Sequence, residues 1–489
     1  MTANRPLRLG DVLLMRGLVA VKDLEAALDR QRKQGGPLGE SVVALGLLSP
    51  EQLQAVLRET PAVPFTVDAA GVSRSALLGL MLKFMRMEAC ETLPELSARM
   101  KLHQAVLQEL LTEATIQRLV QALGSVQQGL VSYARHSLTD LGRVAAAEAL
   151  AQSQYLGPAP VSLSAFQAQV SKQAIANENL VEDAMLRGFS GLSMPANFVR
   201  KLLPAVRAGR TVLLYGPPGN GKTSVGSRIA DMFRHVVYVP YAVEVSGQVI
   251  KVFDGTLHKP YGEGMSAAAL SSGESLLLES FDTRWQACRR PVAMAGGELT
   301  LEMLDLGFDA STKFYEAPLH MKAVNGVLLI DDFGRQKVSP VELLNRWIVP
   351  MESRIDYLKL NSGMSFQIPF DELIIFSTNL DPSDLVDPAF LRRIPYKIEV
   401  AGPSVEEYRR VFLVAAKQRG LAIEGETLDH IVRRLQEGRH DLAYFQPRFL
   451  CEQAFQLCAC FALPPVITRE VADEGLENLY VDLIAKEPR

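Results

Sequence analysis

The segment TVLLYGPPGNGKTS (211–224) sets a lysine and a threonine directly after a turn rich in glycine and proline. An apolar strand leads into this turn and SVGSRIADMF predicts a helix after it, which is the context of a phosphate-binding G-x-x-x-x-G-K-S/T loop. In such a loop, backbone N–H groups close on phosphate oxygens, the lysine reaches the β- and γ-phosphates and the threonine binds Mg²⁺. The sequence therefore predicts a site for ATP and Mg²⁺ built from Gly216, Pro217, Pro218, Gly219, Asn220, Gly221, Lys222, Thr223 and Ser224.

A second apolar run, GVLLIDDFG (326–334), ends in two adjacent carboxylates. Ligand-binding groups gather at the carboxyl ends of parallel strands, so Asp331 and Asp332 are expected beside the glycine-rich loop. Asp331 suits the coordination shell of Mg²⁺, and Asp332 is placed to polarise an attacking water. An acidic helix cap after a buried strand would have the same composition, but the loop at 216–223 favours the catalytic interpretation.

Five motifs within residues 178–489 together resemble an AAA+ ATPase. GPPGNGKT resembles the Walker A motif of that family, LLIDDFG its Walker B motif and ELIIFSTNLDP (372–382) its sensor 1 strand. DPAFLRRIPYKI (387–398) resembles the segment with the arginine finger, and FQPRFL (445–450) resembles the start of the sensor 2 helix. The resemblance implies an α/β P-loop core over 178–400, a helical lid over 401–489 and catalytic roles for Asp332, Asn379, Arg448 and either Arg392 or Arg393.

The same resemblance implies a homo-hexameric ring that acts on an unidentified protein client, because the arginine finger of one subunit enters the nucleotide site of the next. IDYLKLNSGMSFQIPF (355–370) predicts a hairpin and resembles the one that precedes sensor 1 in MoxR-like AAA+ proteins. The chain departs from the family at Asp332, where AAA+ proteins usually have Glu. Since the positioning of water is sensitive to about 1 Å, slow turnover, or switching with little hydrolysis, stays open.

The first sixty residues contain a duplication. RLGDVLLMRGLVAVKDLEAALDRQ (8–31) and PLGESVVALGLLSPEQLQAVLRET (37–60) are units of 24 residues joined by five, and their leucines and glycines recur at an offset of 29. Each unit predicts a short helix, a turn at its second glycine and a longer helix with leucines on one face. Burial of these faces would explain the repeat as a structural or docking module.

The paired units also resemble the MshEN-type cyclic-di-GMP-binding domain found at the N-terminus of type II secretion and type IV pilus assembly ATPases. The resemblance covers positions 8–60 of a predicted domain at 1–65. Pro37 and Thr60 stand where the second unit would repeat Arg8 and Gln31, so one guanine is expected to be held less firmly. The resemblance implies that the dinucleotide contacts Arg8, Leu9, Gly10, Leu24, Leu28, Gln31, Leu38, Gly39, Leu53 and Leu57.

Residues 74–152 predict helices, a strand-turn-strand and a final helix, an order that resembles a winged helix. DNA affinity depends largely on Lys and Arg, yet positions 73–150 hold eight basic and seven acidic residues, with Glu109 and Glu113 on the predicted recognition helix. A protein-contact or spacer role is therefore favoured over DNA binding. A linker at 153–177 is expected to join this module to the core.

The chain of 489 residues is 22% charged with a formal net charge of -4, which demands neither a polyanionic nor a membrane partner. Its longest apolar stretch, LLGLMLKFM (77–85), is far short of the ~20 residues of a membrane span, and the N-terminus lacks an apolar signal region. We therefore expect a cytoplasmic ATPase regulated by cyclic-di-GMP. The alternatives are a transcription regulator that binds DNA through the winged helix, or an ATPase associated with secretion or pili.

Overall fold

The structure is a computed structural model that describes residues 9–15, 18–35, 37–128, 131–178, 180, 188–189, 196–233, 236–261, 281–385 and 388–480. Buried apolar side chains form separate clusters along the chain. They lie in the N-terminal repeat, in the helical module after it, around an accessory sheet, on the two faces of a parallel sheet and among the C-terminal helices.

The N-terminal repeat has the predicted alternation of short and long helices. The first unit contains α1 (Leu9–Met15) and α2 (Val21–Gln34), and the second contains α3 (Leu38–Ala44) and α4 (Pro50–Glu59). The turn of the second unit lies at Gly46, whose φ of 68° favours glycine, whereas Gly17 lies outside the described residues. Leucine, valine and alanine side chains from all four helices form one core.

The next module contains α5 (Arg74–Met87), α6 (Leu93–Met100) and α7 (Gln104–Ile116), then the antiparallel strands β1 (Val120–Gln128) and β2 (Val131–Leu138), and α8 (Asp140–Gln152). This is the predicted order of elements. A capping box fixes the start of α6, because Thr92 Oγ1 accepts from the Glu95 N–H while the Glu95 carboxylate accepts from the Thr92 N–H.

Residues 153–177 are folded into the body of the protein, contrary to the expected linker. β3 (Val161–Ser162) pairs with β6 (Ala242–Val245), and α9 (Leu163–Lys172) follows it directly. Phe166 and Val170 of α9 are both 1% exposed. The proline-rich and serine-rich start of the segment obscured a short strand whose partner is distant in sequence, while the apolar residues at i and i+4 of α9 bury against the accessory sheet.

The accessory sheet has the strand order β10-β11-β7-β6-β3. Its other strands are β7 (Gln248–Lys251), β10 (Gly307–Asp309) and β11 (Phe314–Glu316). β6 and β7 form an antiparallel hairpin, with φ of 51° at Ser246 and 79° at Gly247 in its turn. Nearby, β5 (Val237–Pro240) pairs antiparallel with β8 (Trp285–Cys288).

The predicted α/β P-loop core contains a five-stranded parallel sheet. Its strands are β4 (Val212–Tyr215), β9 (Val292–Ala295), β12 (Val327–Ile330), β15 (Leu373–Thr378) and β16 (Tyr396–Glu399), in the order β16-β4-β15-β12-β9. Successive residues of β12 and β15 alternate between two apolar clusters, so both faces of the sheet are covered. The helices are α10 (Ala196–Arg207), α11 (Lys222–Arg228), α12 (Leu319–Lys322), α13 (Pro340–Ser353), α14 (Pro382–Leu385) and α15 (Pro388–Leu391).

The hairpin predicted before the sensor 1 strand is formed by β13 (Ile355–Lys359) and β14 (Ser365–Pro369), and Gly363 in its turn has a φ of 88°. Its apolar face packs into the cluster of α9 and the accessory sheet. The hairpin therefore connects the core to the segment that was expected to be a linker.

The C-terminal region is helical, as expected for a lid. It contains α16 (Val405–Gln418), α17 (Gly425–Glu437), α18 (Phe445–Cys460) and α19 (Arg469–Leu479), with a short parallel pair of β17 (Ala422–Ile423) and β18 (Val466–Ile467). These helices share one apolar core. Throughout the described part of the chain, every helix is too short or too polar to cross a membrane.

Phe166→Ala tests whether α9 belongs to the folded body. We expect a loss of about 3–5 kcal/mol in the free energy of unfolding, because a fully buried aromatic side chain is removed. Urea denaturation measures this loss. Lys172→Ala, at an exposed position of the same helix, should change the free energy by less than about 0.5 kcal/mol. A flexible linker would instead give equally small changes for both variants.

Candidate nucleotide-binding site

The loop between β4 and α11 depends on glycine at several positions. The backbone φ is 134° at Gly216, 77° at Gly219 and 82° at Gly221, values that other residues rarely adopt. A Cβ on Gly216 would lie 2.8 Å from the Val400 carbonyl oxygen, and a Cβ on Gly219 would lie 2.2 Å from the Phe445 ring. The chain thus forms the tight, glycine-dependent loop that a phosphate cradle requires.

Lys222 lies inside this loop and is 6% exposed. Its amine donates to the carbonyl oxygens of Gly216 at 2.8 Å and Pro217 at 2.9 Å. Burial lowers the pKa of Lys222, and the negative charges of Asp331 and Asp332 oppose that shift. The amine is therefore within electrostatic reach of both carboxylates, and phosphate oxygens entering the loop would replace the two carbonyls as its partners.

Thr223 and Asp331 form the part of the site that could hold a metal ion. Thr223 Oγ1 donates to Asp331 Oδ2 at 2.8 Å. Asp331 directly follows β12, and its N–H continues the sheet by donating to Ala295 O at 2.8 Å. Neighbouring hydroxyl and carboxylate oxygens are ligands that Mg²⁺ accepts when phosphate and water complete its shell. No group of three or more His, Cys, Asp or Glu side chains among the described residues could hold a metal by itself.

Asp332 and Asn379 meet at the same edge of the sheet. Asn379 Nδ2 donates to Asp332 Oδ1 at 3.3 Å. Two further bonds fasten the turn after β12 to the end of β15: Phe333 N–H donates to Ser377 O at 2.7 Å, and Thr378 Oγ1 donates to Phe333 O at 2.8 Å. Asp332 has a φ of 48°, a conformation that Asp tolerates better than most residues. The structure thus brings together the two side chains expected to handle water.

Gln336 is a supporting residue that sequence reasoning missed. Its Nε2 donates to Asp331 O at 2.7 Å, and its Oε1 accepts from the Gly334 N–H at 2.8 Å. Both bonds fix the turn that presents the two aspartates. The only signal in the sequence is its position a few residues after the carboxylate pair, which alone does not reveal a role.

The C-terminal helix α18 begins directly on the glycine-rich loop, a contact that sequence reasoning also missed. Phe445 N–H donates to Gly219 O at 3.1 Å, and Tyr444 N–H donates to Asn220 Oδ1 at 3.3 Å. Asn220 is 5% exposed, so this variable position of the motif is a buried partner of the lid. A displacement of the loop would therefore move the start of α18.

A cleft of about 930 Å³ opens between the loop and the lid. This is within the range of about 300–1,000 Å³ that ligand pockets occupy. His440 and Tyr480 stack at this cleft with ring centroids 3.7 Å apart and planes 9° apart. Its lining includes Pro218, Gly219, Asn220, Gly402, His440 and Tyr480, so a nucleoside attached to phosphates in the loop has space beside them.

The three predicted arginines lie in different places. Arg448 is exposed in the first turn of α18, close to the loop. Arg392 and Arg393 precede β16, whose first residue pairs with the first residue of β4, so they lie toward the amino edge of the sheet, away from the loop. Arg392 is exposed, and Arg393 Nε donates to Glu352 Oε1 at 2.7 Å.

The leucines predicted to contact cyclic-di-GMP are mostly core residues of the repeat. Leu9, Leu24, Leu38 and Leu53 are between 5% and 9% exposed, and Leu28 is partly buried against the same cluster. A Cβ on Gly10 would lie 3.1 Å from Leu24, so close helix packing explains this glycine. Gly39 is buried and Gln31 is 9% exposed. Arg8 and the side chain of Leu57 lie outside the described part.

Comparisons with known proteins add little to this geometry. A family model described as a domain of unknown function (DUF8689) matches residues 404–478, within the lid. No curated protein sequence matches the chain significantly. A mutant of RuvB from Thermotoga maritima aligns with a TM-score of 0.34 and 16% identity, over 64% of this chain and 75% of its own.

Two further solved structures align at a similar level. The Thermotoga maritima RuvB Holliday junction branch migration motor has a TM-score of 0.33 and 17% identity, over 60% of this chain and 72% of its own. NtrX from Brucella abortus has a TM-score of 0.36 and 15% identity, over 59% and 56%.

Gly219→Ala tests the loop. The new methyl group would collide with Phe445 at a left-handed position, so we expect the affinity for a fluorescent ATP analogue, measured by titration, to fall at least about tenfold, or 1.4 kcal/mol. Gly247→Ala is the matched control, since Gly247 has a φ of 79° with nothing within 4 Å of its Cβ position. Gly247→Ala should introduce backbone strain similar to that of Gly219→Ala and leave the affinity for the ATP analogue unchanged. Equal affinities for both variants would contradict the assigned site.

Proposed function

We propose that this protein is a Mg²⁺-dependent ATP hydrolase of the AAA+ type. The observation that carries the proposal is the convergence of Lys222, the Thr223–Asp331 pair and the Asp332–Asn379 pair at one edge of the parallel sheet. The five sequence motifs, the glycine-dependent loop and the lid helix α18, which starts on that loop, support the same assignment. Each of these features has a separate role in phosphoryl transfer to water.

The chain's own groups divide the work of hydrolysis. The loop amides and the Lys222 amine bind the β- and γ-phosphates, and Thr223 with Asp331 would hold Mg²⁺. When bound, Mg²⁺ neutralises charge on the phosphate oxygens. Asp332 accepts a proton from the attacking water, and the Asn379 amide orients both the carboxylate and the water. Arg448 at the start of α18 would contact the γ-phosphate and report its loss to the lid.

Asp332 sets the speed of the reaction. Its side chain is one methylene shorter than the glutamate usual at this position of the family, and its carboxylate is held by Asn379. A shorter reach places the base farther from the water, so turnover is slow compared with that of proteins with Asp-Glu. This departure suits a switch that stays bound to ATP for long periods.

The active form is a ring of identical subunits, a hexamer by resemblance to the family. Arg392 and Arg393 fit such a ring, because they lie toward the amino edge of the sheet, away from the glycine-rich loop of the same chain. The fixed charge of a guanidinium there would stabilise the transition state. The ring acts on a protein client, which makes the protein a remodelling or assembly ATPase.

The N-terminal repeat is the sensor of cyclic-di-GMP in this proposal, supported by the two units of 24 residues with the five-residue spacing. The winged-helix-like module serves as a protein contact. Arg74 pairs with Glu109 at 2.7 Å and with Glu113 at 3.2 Å on α7, so a basic residue beside the predicted recognition helix is already neutralised. This pairing disfavours the alternative of a DNA-binding transcription regulator.

Asp332→Asn tests the hydrolysis step. We expect phosphate release from Mg-ATP to fall about 10²–10⁴-fold, because the general base is lost, while nucleotide affinity is retained. Asp331→Asn should instead raise the Mg²⁺ concentration needed for binding. Asp140→Asn, at an exposed position of another module, serves as a control and should match the wild type. A wild-type protein without Mg²⁺-dependent phosphate release would contradict the ATPase proposal.

Arg8→Ala tests the sensor. Calorimetric titration of the full chain with cyclic-di-GMP should show saturable binding that Arg8→Ala weakens at least about tenfold, because a guanidinium paired with guanine contributes about 1–3 kcal/mol. Arg32→Ala removes an exposed arginine of the same module and should leave binding intact. If the wild type gives no binding heat, or both variants behave alike, the repeat is a docking module.

A further inference from the structure

Three buried side-chain amides form a hydrogen-bonded chain from the end of α4 to the core. Gln169 Nε2 donates to Glu59 O at 2.7 Å and to Gln173 Oε1 at 3.1 Å. Gln173 Nε2 donates to Asn325 Oδ1 at 2.9 Å, and Asn325 Nδ2 donates to Asp371 Oδ2 at 2.8 Å. The three amide residues are 3%, 9% and 0% exposed.

In the chain of amides, Gln169–Gln173–Asn325, every side-chain NH₂ group uses both of its hydrogens. The Gln173 amide also donates to Tyr238 O at 3.0 Å, and the Asn325 amide also donates to Val170 O at 3.0 Å. Each of the three NH₂ groups therefore makes two bonds. Because leaving a buried polar group without its partner destabilises the folded state, these side chains favour one arrangement, and we expect a displacement of one to move the others.

The far end of the chain lies at the start of the two strands that carry the catalytic residues. One residue separates Asn325 from the start of β12 and one separates Asp371 from the start of β15, and the Asn325 N–H donates to Asp371 O at 2.9 Å. The first residues of these strands, Val327 and Leu373, pair with each other. β12 leads into Asp331 and Asp332, and β15 leads into Asn379. Each strand rises about 3.3 Å per residue, so these side chains lie at the opposite end of the strands from Asn325 and Asp371.

The near end of the chain lies at the exit of the N-terminal repeat. Glu59 is the last residue of α4. Two residues later, Pro61 O accepts from the Asp282 N–H at 3.0 Å, which ties the same segment to the accessory-sheet region. The end of α4 is therefore held on the body of the protein. A change in the packing of the repeat would displace the Glu59 carbonyl, to which Gln169 donates.

We propose that this amide chain is the regulatory connection through which the N-terminal repeat changes the nucleotide site. This inference rests on the proposed function and names its route of regulation. A displacement at the end of α4 shifts Gln169, then the Asn325–Asp371 pair, and with it the relative position of β12 and β15. That position sets the Asp332–Asn379 contact at the opposite end of the strands.

Coupling between two binding sites is reciprocal, so nucleotide must also change the end of α4. Hydrogen–deuterium exchange of the backbone amides is measured in the full-length protein with and without saturating Mg-ADP. We expect the exchange rate of the peptide covering residues 50–60 to change at least about fivefold, which is the lower end of ordinary allosteric coupling. Gln169→Met, which keeps the length and helical preference of the side chain but donates no hydrogen bond, should abolish this change.

Gln167→Met is the matched control, because Gln167 lies on the same helix and its Nε2 donates to Gln367 O at 2.9 Å in the hairpin. It should retain the wild-type response. Gln169→Ala repeats the test with a smaller side chain if Gln169→Met proves unstable. A response that survives in the Gln169 variants, or a wild type that binds Mg-ADP without a response in residues 50–60, overturns the inference alone. A wild type that does not bind Mg-ADP overturns the proposed function, and the inference with it.

Discussion

The hydrogen bond from Thr223 Oγ1 to Asp331 Oδ2 joins two parts of the chain on which the rest of the site depends. Thr223 belongs to the start of α11, and Asp331 to the turn after β12. β15 lies between β4 and β12 in the sheet, so the bond joins the helix start after β4 to the turn after β12, across the end of β15. The parallel sheet places the carboxyl ends of its strands at one edge and so brings these residues together, and the same edge receives Asn379 from the strand between them.

The lid extends this constraint to the C-terminal helices. Backbone N–H groups of Tyr444 and Phe445 bond to the glycine-rich loop, and the Phe445 ring occupies the space that any side chain at Gly219 would need. The cleft beside them therefore has one wall that belongs to the loop and one that belongs to the lid. A ligand in this cleft contacts both, which is the condition for a nucleotide to control the position of the lid.

Sequence alone was sufficient where function depends on local spacing. The glycine-rich loop, the paired aspartates and the strand before Asn379 follow from short motifs and from apolar runs, and the hairpin of β13 and β14 follows from alternation around turn residues. It was insufficient where distant segments meet. β3 has two residues and finds its partner some eighty positions later, and the Gln173–Asn325 contact joins residues 152 positions apart. The leucines of the repeat could not be assigned, since a buried core and an apolar ligand contact require the same residue type.

The central claim is that Lys222, Thr223 and Asp331 hold Mg-ATP against the glycine-rich loop. The most direct measurement is an experimental structure of the full-length protein with Mg²⁺ and a non-hydrolysable ATP analogue. We predict a metal ion about 2.1 Å from Thr223 Oγ1, a Lys222 amine that has left the Gly216 and Pro217 carbonyls for the β- and γ-phosphates, and an adenine base in the cleft beside the lid. Density for the analogue at any other place, with the Lys222 amine still on the two carbonyls, would contradict it.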